Sequence, residues 1–144
     1  MAFKLNPLVA TLAAALALTA VSASAVTLRV GNQGDALSMD PHSLNESLQI
    51  SVVENVYETL VSRDANYKLT PLLATSWKQT APTVWRFNLR KGVQFHDGKP
   101  FTADDVIFSI ARAGGDGSDM KSYVNDIKEV RKVDSHTVDI ETKA

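Results

Sequence analysis

The chain has 144 residues, 15 Lys and Arg against 16 Asp and Glu, three His and no Cys. A formal charge of −1 leaves no basic surplus for a phosphate backbone, which argues against nucleic acid as a partner. Without Cys there are no disulfides, Cys-ligated metals, thiol nucleophiles or lipid-modified N-terminal Cys.

The first element is an address. No charge occurs between Leu5 and Leu28, Lys4 stands before that stretch, and Leu8 to Ala20 is almost purely Leu, Ala and Val. Ala23 and Ala25 then supply the small-x-small pattern that signal peptidase admits. A membrane-anchoring helix is the alternative, but the apolar core is short and Ala-rich and no basic stop follows it. The expectation is therefore a signal peptide over 1–25, cleaved after Ala25, and a mature chain over 26–144. Cleavage removes Lys4 and no acid, so the mature part is slightly more acidic.

Val26, Leu28 and Val30 alternate with Thr27 and Arg29, which predicts a half-buried strand. Gly31 to His42 reads as a loop, unusual in containing Leu37 and Met39. Ser43-Leu44-Asn45-Glu46 fits a capping box. Leu44, Leu48, Val52, Val56 and Leu60 recur every four residues, which predicts a helix to about Val61. Asp64-Ala65-Asn66 is turn-like, and Tyr67 to Ala74, interrupted by Pro71, reads as irregular or an edge segment.

Thr75–Thr80 and Thr83–Arg90 predict a hairpin around Ala81-Pro82, with Trp85, Phe87 and Leu89 on one face. Val93 and Phe95 extend the apolar set to a turn at Asp97-Gly98. Thr102 caps a second helix, with Asp104 and Asp105 in its first turn. Ala103, Val106, Ile107, Ile110 and Ala111 form its expected buried face, and Gly114 ends it. A polar loop to Lys121 follows, then a last hairpin, Ile127–Val133 and Thr137–Thr142, turning at Asp134-Ser135.

Catalytic signatures are missing from this pattern. There is no Gly-x-Ser-x-Gly, His-Glu-x-x-His or phosphate-cradling Gly-rich loop, and His42, His96 and His136 lie far apart. Gly114-Gly115-Asp116-Gly117-Ser118-Asp119 matches the start of a calcium nonapeptide repeat. That motif binds only when stacked copies share ligands, and here it is single, so a helix-ending loop is the better reading. The aromatic residues follow strand and helix faces, which favours core over sugar stacking.

Leu73-Ala74-Thr75-Ser76-Trp77, the run from Trp85 through Phe95-His96-Asp97-Gly98, and Pro100-Phe101-Thr102-Ala103-Asp104-Asp105-Val106 resemble the signature region of family 5 extracytoplasmic solute-binding proteins. Asp40-Pro41 looks like the family's cleft loop, Asn55 through Val61 like its first helix, and Ser122 through Val138 like its next hairpin. Two departures stand out. The hairpin turn is Thr80-Ala81-Pro82-Thr83 where the family commonly carries Asp-Gly, and family members are several times longer.

The resemblance implies an α/β fold of the periplasmic-binding-protein-like type II kind. Two lobes close over a ligand, and only the first part of lobe one is expected in this chain. It implies a periplasmic, non-enzymatic receptor, monomeric and without cofactor, and the lack of Cys adds the expectation that it is free of lipid. Such a receptor delivers a small solute, by default a peptide, to an ABC permease; relatives also take nickel, opines or oligosaccharides. Within the Gly31–His42 loop the candidate ligand contacts are Asp35, Leu37, Met39 and Asp40, since α/β sheets place ligand loops at strand ends. The alternative is that Leu37 and Met39 pack under the loop and Asp40-Pro41 is a turn. A secreted enzyme with an unrecognised site and a small complete interaction module remain the other functional readings.

Overall fold

The computed structural model describes residues 26–143. The expected signal peptide over 1–25 lies outside the described residues. The chain divides into two units, Met1–Asn32 and Gln33–Ala144.

In the first unit the described residues form no strand, which corrects the expectation for Val26–Val30. Val26, Leu28 and Val30 are 93%, 84% and 75% exposed. Alternation makes a strand only where another edge completes its hydrogen bonds. Here the segment joins no ladder among the described residues.

The second unit begins with a loop and a short helix, α1, over Ser47–Val53. The expected cap is displaced. Glu46 is the N-cap and accepts the Gln49 N–H, while the Ser43 hydroxyl donates to the Asp40 carbonyl instead. The helix also stops well before Val61. Asn55 donates its side-chain amide back to the Ser51 and Val52 carbonyls, and Val56 N–H bonds the Val53 carbonyl three residues back. These contacts tighten the last turn, and the β-branched residues Val56, Thr59 and Val61 do not favour its continuation. Val61 is claimed by a strand instead. β1 (Val61–Arg63) pairs antiparallel with β2 (Leu69–Pro71), joined by a turn in which Asp64 Oδ1 accepts from Asn66 and Lys68 N–H.

The main sheet holds β3 (Ala74–Ala81), β4 (Val84–Leu89), β5 (Ile127–Asp134) and β6 (Thr137–Thr142) in the order β3-β4-β6-β5. All three pairings are antiparallel. The two hairpins turn one residue later than expected, at Pro82-Thr83 and Ser135-His136. Asp134 Oδ1 accepts the His136 N–H at 2.7 Å, which sets the second turn. Between the hairpins run the turn at Asp97-Gly98, with Gly98 at φ +84°, and helix α2 (Ala103–Ala113). A one-turn helix, α3 (Lys121–Val124), precedes β5.

The cap of α2 is the expected one. Thr102 donates both its N–H (2.7 Å) and its hydroxyl (3.0 Å) to Asp105 Oδ2. The helix lays Ala103, Val106 and Ala113 inward, with Ile107 and Ile110 half-buried. Ala111 is exposed, against expectation, because about 100° per residue carries it off the stripe defined by 103, 106, 110 and 113. The core is Leu89, Phe101, Ala103, Val106 and Val138. Trp85, expected on that face, is 38% exposed near the strand's far end.

The other sheet face is ionic. Opposite Arg86 stands Asp139, and opposite Asp139 stands Arg131. Arg86 grips Asp139 with two hydrogen bonds, Nε to Oδ1 at 2.7 Å and Nη2 to Oδ2 at 2.8 Å. Arg131 and Lys128 both donate to Glu141, at 2.6 Å each. This alternation keeps one face of the sheet dry and the other wet.

Candidate functional site

The candidate loop, Gly31 to His42, is fixed at two places. The first is Gln49 of α1, which is only 2% exposed. Its Oε1 accepts the Leu37 N–H at 3.0 Å and the Ser38 N–H at 3.4 Å, and its Nε2 donates to the Ser38 carbonyl. A side-chain amide thereby pairs with loop backbone as a neighbouring strand would. These are backbone groups that no ladder serves, and burying them unpaired would be costly.

The second anchor is Arg112, from the last turn of α2. Its two terminal nitrogens grip both carboxylate oxygens of Asp40, with Nη1 to Oδ1 at 2.8 Å. The His42 N–H donates to Asp40 Oδ1 at 3.0 Å, and Arg112 Nη1 stands 3.0 Å from His42 Nδ1. The Arg112 guanidinium, with the His42 N–H, holds the Asp40 carboxyl far below the usual carboxylate range. Burial, aided by the Arg112 charge, pushes the His42 imidazole down, with Asp40 opposing. Ser43 N–H and hydroxyl close the turn on the Asp40 carbonyl.

These anchors sort the expected contact residues. Asp40 is joined to α2 across 72 positions of sequence. Asp35 is exposed and accepts the adjacent Ala36 N–H, at 2.8 Å; among the described residues it is not gathered into this cluster. Leu37 and Met39 do not pack beneath the loop: they are 84% and 50% exposed, flanking the Ser38 backbone that Gln49 bonds. From Pro41 and His42 the surface continues into an apolar groove of about 470 Å³, walled by Ile50, Val53, Tyr57, Ile110, Met120 and Tyr123.

Sequence reasoning missed Gln49 and Arg112. Gln49 was a polar residue beside the apolar period of α1, and only its place among Leu48, Ile50 and Val53 hinted at burial. Arg112 is a basic residue in the last turn of a helix, where the dipole favours any cation, so nothing local marks it.

The two anchors position the loop. His42 Nδ1 is occupied by Arg112. Ser135 Oγ lies 2.9 Å from His136 Nδ1, but the two are neighbours in a hairpin turn, and Asp134 bonds the His136 backbone rather than its ring. Among the described residues no cluster of His, Asp and Glu is placed to hold a metal ion.

An antiparallel sheet with a capped helix on its dry face, and a doubly anchored loop beside it, is an architecture this chain shares with solved periplasmic binding proteins. The sequence pattern of bacterial extracellular solute-binding proteins, family 5 Middle, matches residues 68–144, and the chain belongs to this family. It is 32% identical over 87 residues to the periplasmic oligopeptide-binding protein OppA of Escherichia coli K12, covering 60% of this chain and 16% of that protein. The fold is similar to Haemophilus influenzae OppA in complex with the peptide RPPGFSPFR, with a TM-score of 0.71 and 26% identity over 76% of this chain and 25% of that one. It is also similar to NikZ from Campylobacter jejuni in complex with Ni(L-His), with a TM-score of 0.67 and 29% identity over 76% of this chain and 22% of that one. The chain therefore spans a quarter or less of the length of these relatives.

Proposed function

We propose that the chain is the opening part of lobe one of a periplasmic substrate-binding component of an ABC importer. It takes a peptide or a similar small solute and presents it to an inner-membrane permease. The family match over 68–144 carries this reading, and the doubly anchored loop beside that region supports it. The loop faces the solute cleft, with Asp35, Leu37, Met39 and Asp40 as its contact residues. Leu37 and Met39 offer apolar surface to solute side chains, and Asp40 sets the loop's position through Arg112. Residues 1–25 act as a cleaved signal peptide, and the mature chain works as a lipid-free monomer without enzymatic activity. Peptides are the preferred solute, given the likeness to two oligopeptide-binding proteins. The likeness to a protein holding Ni(L-His) favours a chelated metal as the second reading.

Crosslinking in intact cells tests the transport role. The chain should be released by osmotic shock, begin at Val26 by mass spectrometry, and be recovered joined to an ABC permease. A chain retained in the cytoplasm, or one never joined to a permease, would overturn the reading.

A further inference from the structure

His42 sits where several elements converge. Asp40 faces it from its own loop and Arg112 from α2. Glu54 and Tyr57 share its groove from the end of α1 and the following turn, and Tyr123 shares it from α3. From the 114–120 loop, the Asp119 N–H donates to the His42 carbonyl at 3.0 Å. One nitrogen of Arg112, Nη1, serves both Asp40 Oδ1 at 2.8 Å and His42 Nδ1 at 3.0 Å. A guanidinium has only donors, so His42 Nδ1 must accept, which requires that nitrogen to carry no proton. Protonation would set a second donor and a second positive charge against Arg112.

We propose that His42 is an acid-sensitive latch on the loop: when its imidazole protonates, the contact to Arg112 opens and the His42–Ser43 end of the loop loosens from the Asp40–Arg112 pair, while Gln49 keeps Leu37 and Ser38 in place. Burial and Arg112 both favour the neutral ring in the closed state, so opening occurs on the acid side of an ordinary histidine. Asp40 is held ionised far below that range, so its own protonation does not drive the opening. The periplasm follows the pH of the medium, and a loop loosened by acid would change how the receptor meets its solute; that consequence rests on the cleft role proposed above, whereas the latch itself does not.

Amide hydrogen exchange of the full chain between pH 7.5 and 5, corrected for intrinsic rates, tests the latch while NMR follows the His42 ring. The His42 and Ser43 amides, both bonded to Asp40, should lose about tenfold in protection as His42 titrates, whereas Leu37 and the β4 and β6 amides should not. The variant His42→Gln, whose amide oxygen accepts from Arg112 but does not titrate, should show no such loss. Constant protection through the titration of His42, or the same loss in His42→Gln, would overturn the proposal. If the latch opens as described in a chain that never meets a permease, the latch stands and the transport reading falls.

Discussion

Gln49 holds the candidate loop through three hydrogen bonds to the Leu37 and Ser38 backbone. Gln49→Leu keeps the volume and removes the partners, leaving the Leu37 and Ser38 groups unsatisfied. We expect a loss of about 1–3 kcal/mol in chemical denaturation. A loss within experimental error would mean the loop is held by other contacts. Acid stability follows from the carboxylates. Arg86 lowers the Asp139 pKa, and the Arg112 guanidinium lowers that of Asp40. A pKa lower in the folded than in the unfolded state gives stability that is full above the unfolded value and lost as pH falls toward the folded one. The melting temperature should therefore drop below about pH 4, the ordinary carboxylate range. Asp139→Asn should flatten that drop, and an unchanged acid limb would contradict the assignment. At this scale the sequence was a poor guide. Asp40 was visible as a loop carboxylate, but its partner lies in a helix far along the chain, and no local pattern announces such a pair.

Among the elements, α2 was the most legible and α1 the least. The cap of α2 is a local hydrogen-bond device, and its apolar stripe meets the Leu89 and Val138 side of the sheet that the strand alternation also marks. Local and tertiary preferences agree there. In α1 they compete: the four-residue apolar period extends to Leu60, but β1 takes Val61 into a hairpin with β2. Val26–Val30 failed for a similar reason, since its alternation needs a partner strand that the sequence could not guarantee. For α2 the energetics are specific. Phe101→Ala, at 6% exposure in the core, should cost about 3–5 kcal/mol. Thr102→Ala should cost about 0.5–2 kcal/mol through the cap. Phe108→Ala, a residue of α2 that is itself 68% exposed, should stay within about 0.5 kcal/mol. Equal losses for Phe101 and Phe108 would show that the core is misassigned.

For the molecule, the family was legible because its signature runs through the parts that fold locally, from β3 to α2. The site was less legible, since it depends on where a loop is carried. The second unit also leaves much apolar surface in the open. Val56, Tyr57 and Phe95, exposed at 47%, 44% and 46%, border a second groove of about 380 Å³. Patches of this kind mark surfaces that meet something apolar. Residues 26–144 made alone should therefore bind a hydrophobic dye such as ANS strongly in native buffer. Dye fluorescence no higher than that of a compact globular control would show that these faces are too small to matter. The central claim is that the chain belongs to a solute importer. Its most direct test is uptake of labelled oligopeptides and of nickel with L-histidine, compared between the parent strain and one in which this gene alone is disrupted. We predict that uptake of one of these solute classes, peptides first, is lost and returns when the gene is restored; unchanged uptake of both would contradict the claim.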